Sequence, residues 1–244
     1  MIHLPLLDPD QPEQFPDPAV ALTEPNGLLA FGGDLSPTRL LAAYRKGIFP
    51  WFSEGEPILW WSPDPRCVFE TRDLKINRSL RRQLAGKNWR VSVDQAFAQV
   101  VHACAAPRND GSGTWILPAM IEAYIGLHAL GHAHSVEVWD GERLVGGIYG
   151  VAIGRLFFGE SMFSRESGGS KLALAGLAQL LQQRGFPLID AQVANSHTLS
   201  LGAIEWPRQQ FLRQAQALTA VPEAPGHWHQ FSALLPQPGA DARC

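Results

Sequence analysis

The sequence predicts an α+β protein in which helices cover a mostly antiparallel sheet. Three observations predict it. Residues 135–139, 144–153 and 156–163 are apolar or alternating runs separated only by tight turns. Helical periodicity flanks that meander on both sides. Taken from residue 90 onward, the order is strand, two helices, three strands, helix, strand, helix.

The first 20 residues carry Pro5, Pro9, Pro12, Pro16 and Pro18 and read as an extended arm. Asn26-Gly27 and Gly32-Gly33-Asp34 are turn signals. Ser36-Pro37 then opens a helix as cap and first helical residue. Leu40, Leu41 and Tyr44 line one face, and Gly47 stops it. Tyr44, Phe49, Trp51, Phe52, Trp60 and Trp61 crowd into residues 44–61 among prolines and glycines, so they are expected on irregular backbone. They suit a small aromatic core, or a platform on which bases stack.

Residues 72–90 hold seven cations (Arg72, Lys75, Arg78, Arg81, Arg82, Lys87, Arg90) and one acid, Asp73, in a chain whose net charge is −3. Asn77 to Ala85 reads as a short helix with Leu80 and Leu84 on its inner face. Arg78 and Arg82 share the opposite face, where a phosphate backbone would relieve their repulsion.

Arg90 to Val93 reads as a strand and Asp94 as the cap of the next helix. Pro118 opens another helix, which Gly131 ends. After the meander, the polar loop Ser164 to Ser170 precedes a helix bearing Leu172, Leu174, Leu177 and Leu181. Leu188 to Val193 is the last strand, and Pro207 opens the last helix. The stretch from Val221 is again proline-rich. The domains expected are 1–65 (small, N-terminal) and 66–236 (catalytic), with 237–244 a flexible tail.

Hydrophobic residues at 45% and charged residues at 18% exclude bulk disorder. The net charge excludes a uniformly basic nucleic-acid coat. Cys67, Cys104 and Cys244 form neither a zinc pattern nor a disulfide framework. The longest apolar run, broken by Gly146, Gly147 and Gly150, is too short to cross a bilayer. A cytoplasmic protein is expected, with no membrane partner.

Asp190 and Gln192 stand two apart on a strand and so should share a face. They are either a satisfied polar pair holding loops or a proton-handling pair, and spacing does not choose. Glu160, in an apolar strand, carries the same ambiguity. Of the eight histidines, His128, His132 and His134 are close in sequence, as are His227 and His229. No acidic or cysteine partner completes a recognisable ligand set, so no metal is expected.

The element order resembles the GNAT acyltransferase fold. In its usual coenzyme A loop a Gly or Ala stands where this chain has Ser170, at the end of Arg165-Glu166-Ser167-Gly168-Gly169-Ser170. The strings Glu24-Pro25-Asn26-Gly27-Leu28-Leu29-Ala30, Tyr44-Arg45-Lys46-Gly47-Ile48-Phe49-Pro50-Trp51-Phe52, Trp60-Trp61-Ser62-Pro63-Asp64-Pro65-Arg66, Gly159-Glu160-Ser161-Met162-Phe163-Ser164 and Asp190-Ala191-Gln192-Val193 closely resemble the leucyl/phenylalanyl-tRNA–protein transferase family.

That resemblance implies a GNAT-like catalytic domain that uses aminoacyl-tRNA in place of acetyl-coenzyme A. It implies transfer of Leu or Phe, less often Met, to the N-terminal Arg or Lys of a protein, without a cofactor. Asp190 would polarise Gln192, which hydrogen-bonds the attacking amine. Glu160 would bind the cationic acceptor residue. Ile148, Phe157, Met162, Leu174, Leu177 and Ile189 would form the apolar slot. Trp51 and Trp115 would wall the terminal adenosine, with Tyr124 nearby. Lys75, Arg78, Arg81 and Arg82 would hold the acceptor stem. A coenzyme A-dependent N-acetyltransferase and a non-catalytic tRNA-binding adaptor are the alternatives.

Overall fold

The computed structural model describes residues 4–74, 80, 82, 84–107 and 116–229. Two sheets organise it. The smaller has the order β1-β2-β4-β3, from β1 (Leu6–Leu7), β2 (Leu28–Gly32), β3 (Phe49–Pro50) and β4 (Leu59–Trp61). Helix α1 (Pro37–Arg45) lies between β2 and β3 in the chain. Ser36 caps it by accepting from the Arg39 N–H, as the sequence predicts. The aromatic run is more regular than expected, since Phe49, Trp60 and Trp61 lie on paired strands. The proline-rich arm gains β1 and a single 3-10 turn at Pro18–Val20.

The larger sheet has the order β11-β5-β10-β9-β8-β7-β6. Its strands are β5 (Arg66–Glu70), β6 (Trp89–Val93), β7 (Ala133–Asp140), β8 (Arg143–Ile153), β9 (Leu156–Ser164), β10 (Leu188–Gln192) and β11 (Ile204–Trp206). The predicted meander is β7-β8-β9. Every pairing is antiparallel except β9 with β10. Between strands lie α2 (Phe97–Ala105), α3 (Pro118–Ala129), α4 (Gly169–Gln183), α5 (Ser196–Ser200) and α6 (Arg208–Thr219).

Strand alternation divides the core. Val68, Tyr149, Phe158 and Leu188 join α1, α2, α3, α6 and the small sheet in one cluster. Their neighbours Phe69, Ile148, Phe157 and Ile189 join α4 in the other. Leu80 and Leu84 are buried in that second cluster while Arg82 is exposed, which agrees with the predicted inner face. Helix α4 comes close to β8 because both contact points are glycine. A Cβ on Gly146 would stand 2.4 Å from the Gly169 carbonyl carbon.

One expectation is corrected. Asp94 does not cap α2. Its backbone is left-handed, at φ 54°, and its carboxylate accepts from the Ser135 N–H, His134 Nδ1 and the Trp228 N–H. Those strand and tail donors outcompete the helix end. The segment 221–229 has no regular structure yet is anchored: Trp228 stacks on His134 at 3.7 Å between ring centroids, and Glu223 pairs with Arg155 and Arg184. Among the described residues, no helix is long and apolar enough to cross a membrane.

Candidate active site

The site opens where two strands part. β9 and β10 pair only through residues 156–158 and 188–190. β9 then continues beside β8, with Met162 opposite Ile148. β10 instead breaks register between Asp190 and Gln192 against β5, and Gln192 adopts φ 61°. This bulge breaks the strict alternation predicted for residues 190 and 192. A cavity of about 1210 Å³ occupies the gap.

Asp190 is wholly buried and paired with Arg66. Arg66 Nε donates to Oδ1 at 2.8 Å and Nη2 to Oδ2 at 2.6 Å. The guanidinium sits between the rings of Phe49 and Phe211, 4.8 and 4.6 Å from their centroids, and donates to the Gly47 carbonyl. Asp190 Oδ1 also accepts from the Gln192 backbone N–H at 2.9 Å. Asp190 therefore fixes the Gln192 backbone. The group that meets the Gln192 side chain is Glu160, whose Oε1 accepts from Nε2 at 2.9 Å.

Glu160 is buried beneath the cavity. The Tyr44 hydroxyl donates to Oε1 at 2.8 Å and the Tyr124 hydroxyl to Oε2 at 2.7 Å, and the two hydroxyls stand 2.6 Å apart. Three contacts share only two phenolic hydrogens; when one phenol turns to the other, a proton on the carboxyl can fill the contact it leaves. Burial pushes the Glu160 pKa up to about 7, against the hydrogen bonds from Tyr124 and Tyr44. Burial, and then the Glu160 charge, push both tyrosines well above the usual phenol value.

Of the six predicted slot residues, Ile148, Met162, Leu174 and Ile189 line the cavity, with Phe69 and Phe163 beside them. Phe157 and Leu177 are buried in the cluster behind that wall. Trp51 is 44% exposed at the rim, 5.7 Å from Trp61 between ring centroids. Tyr124 is fully buried, and its hydroxyl donates to Glu160. Arg82 is exposed. Trp115, Lys75, Arg78 and Arg81 lie outside the described residues.

Sequence reasoning missed Arg66 and the hold of Tyr44 on Glu160. A signal for Arg66 was present: a lone cation opening the apolar strand Cys67-Val68-Phe69 needs a buried partner. It also missed that Asp94 meets the histidines. Asp94, His128 and His227 bring one ligand atom each within 4.8 Å of one another.

The N-terminus of α4 reaches the same cavity. The Ser170 N–H donates to Ser164 Oγ, the Gly169 N–H to the Glu166 carbonyl and the Leu172 N–H to the Gly168 carbonyl. Two of the first-turn donors, on Gly169 and Ser170, are thus already engaged, which narrows the cradle that a pyrophosphate needs.

Residues 68–216 match the family model described as leucyl/phenylalanyl-tRNA protein transferase, and residues 33–64 match the model of its N-terminal domain. A leucyl/phenylalanyl-tRNA–protein transferase of Xanthomonas axonopodis pv. citri (strain 306) is 62% identical over 228 residues, covering 93% of this chain and 92% of its own. One from Xylella fastidiosa (strain M23) is 58% identical over 224 residues, covering 91% and 92%. Fold, cavity and relatives together define an aminoacyltransferase. The chain belongs to the leucyl/phenylalanyl-tRNA–protein transferase family.

Proposed function

We propose that the enzyme moves Leu or Phe, and less often Met, from charged tRNA to the N-terminal Arg or Lys of a protein. One observation carries this reading: a single cavity joins the apolar wall of Ile148, Met162, Leu174 and Ile189 to the Gln192 amide and the Glu160 carboxylate. The wall suits an apolar side chain. The polar end suits an incoming cationic residue and its amine.

The aminoacyl ester is already activated, so the protein's task is placement. The amine nitrogen attacks the ester carbonyl carbon, a C–N bond forms, and the C–O bond to the ribose breaks. The amine loses a proton and the departing ribose oxygen gains one. Holding the two centres about 3–3.5 Å apart supplies much of the rate. Gln192 Nε2 is committed to Glu160, which leaves the Gln192 carbonyl oxygen to accept from the amine. Glu160, when ionised, draws in the cationic acceptor. Asp190 acts one step back, by holding the Gln192 backbone against Arg66.

Trp51 offers a face to the terminal adenosine, and Arg82 with its basic segment offers charge to the acceptor stem. The catalytic unit is read as GNAT-like and spans 66–236, after a smaller unit at 1–65. The engaged donors at the start of α4 favour aminoacyl-tRNA over coenzyme A. Such an enzyme works in the cytoplasm, where charged tRNA is made, and its product carries a degradation signal.

The test mixes Leu-tRNA, a peptide beginning with Arg and the protein. Formation of a Leu-Arg peptide is expected. Retained tRNA binding without product would leave an adaptor, and acetyl-coenzyme A turnover without tRNA would leave an acetyltransferase.

A further inference from the structure

We propose that Asp94, His128 and His227 form a binding site for a divalent cation, best suited to Zn²⁺, that staples the C-terminal segment to the large sheet. None of the three residues lines the large cavity, so the site is separate from the transfer chemistry.

Three features carry the proposal. First, the donor set is one carboxylate and two imidazoles within 4.8 Å of one another, drawn from three distant parts of the chain. Nitrogen-rich sets of this kind select zinc over magnesium or calcium. Second, His128 is pre-set as a ligand. Its Nδ1 lies 2.7 Å from the Ala133 carbonyl, which only accepts, so Nδ1 bears the hydrogen and the neutral ring presents Nε2 as a lone pair. Its ring also stacks flat on Phe97, 4.2 Å away, which fixes the ring plane. A ligand imidazole that donates its other N–H to a backbone carbonyl is the usual outer support of a zinc site.

Third, Asp94 is oriented from outside the site. Oδ2 accepts from His134 Nδ1 at 2.8 Å and the Trp228 N–H at 2.7 Å, while among the described residues Oδ1 accepts only the Ser135 N–H at 2.9 Å. A carboxylate oxygen has two lone pairs, so Oδ1 keeps one for a cation. Around a tetrahedral ion with bonds of about 2.0–2.1 Å, ligand atoms stand roughly 3.3 Å apart. The cluster must therefore contract, by up to about 1.5 Å between ligand atoms. His227 is exposed and has room to move inward. Its neighbours are anchored: Gly226 N–H donates to the Gly131 carbonyl, and Trp228 is buried. Water would complete the coordination.

The experiment uses full-length, tag-free protein stripped with a chelator. Calorimetric titration with Zn²⁺ should give one ion per chain, undisturbed by millimolar Mg²⁺. Co²⁺ at the same site should give the intense visible bands of a tetrahedral ion. His227→Ala, on an exposed position, and His128→Gln should each weaken Zn²⁺ binding about 100-fold or more. His102→Ala, exposed on α2, should bind as the parent does. No saturable binding, or binding that survives both ligand substitutions, would overturn the proposal and leave the cluster a hydrogen-bond network. These readouts do not depend on transfer activity.

Discussion

Replacing Glu160 with Gln removes a buried carboxyl whose pKa stands near 7 and should change the pH profile in a calculable way. The side chain keeps its shape, and the Tyr44 and Tyr124 hydroxyls can re-point one hydrogen toward each other across 2.6 Å. In the parent enzyme, kcat/KM for the acceptor peptide should require an ionised Glu160 and a neutral α-amine, whose pKa is about 7.7–8.0. From pH 6 to 7 the neutral amine rises about 9-fold and ionised Glu160 about 5-fold, so kcat/KM should rise about 50-fold. In Glu160→Gln only the amine factor of about 9 should remain. Stability gives a second readout. The folded pKa is raised above the ordinary 4.5, so this group's contribution is fully present below pH 4.5 and is lost as pH rises through 7. The loss amounts to about 3 kcal/mol by pH 8. Urea unfolding of the parent should therefore fall between pH 4.5 and 8 relative to Glu160→Gln. Parallel kcat/KM profiles, or a stability difference that is flat with pH, would refute the reasoning.

Two further outcomes are expected. Arg66→Leu leaves the Asp190 carboxylate buried without its partner and should cost about 3–5 kcal/mol in urea unfolding, much of it recovered in Arg66→Leu with Asp190→Asn; a loss below about 1 kcal/mol would contradict the burial argument. Trp51→Ala should raise KM for aminoacyl-tRNA by about 5- to 100-fold, the worth of one stacked base, with stability within about 0.5 kcal/mol because the ring is half exposed; an unchanged KM would remove Trp51 from the adenosine site.

The parts of the fold set by local pattern were legible. Ser36-Pro37 and Gly47 bounded α1, and Asp140-Gly141 and Gly154 bounded the meander, because caps and turns are decided by neighbours in sequence. The wall residues Ile148, Met162, Leu174 and Ile189, assigned by resemblance, do line the cavity. What escaped was long-range. Arg66 meets Asp190 across 124 positions, and Tyr44 meets Glu160 across 116. Period-2 reasoning put Asp190 and Gln192 on one face, but a bulge that re-aims Gln192 depends on where β9 leaves β10, and no local signal encodes that. Asp94 looked like a helix cap for the same reason. Its true donors come from β7 and from the tail, 40 and 134 positions away.

The cavity contains two carboxylates whose surroundings give them different work. Asp190 has a formal counter-ion, locked bidentately and itself walled by two aromatic rings. Among the described residues, Glu160 meets only neutral donors, two phenols and an amide, and no cation in direct contact cancels its charge. Gln192 is tied to both, its backbone to the arginine-paired Asp190 and its side chain to Glu160. Its position is thus held constant while the charge behind its amide follows pH. An isolated carboxylate at the Glu160 position would repel Asp190 and stay protonated well above neutrality. An arginine partner like that of Asp190 would instead cancel the charge that an incoming cationic residue needs to find. Three neutral donors are the intermediate case: they stabilise the anion enough for it to form near neutral pH, and they leave its charge available to the acceptor.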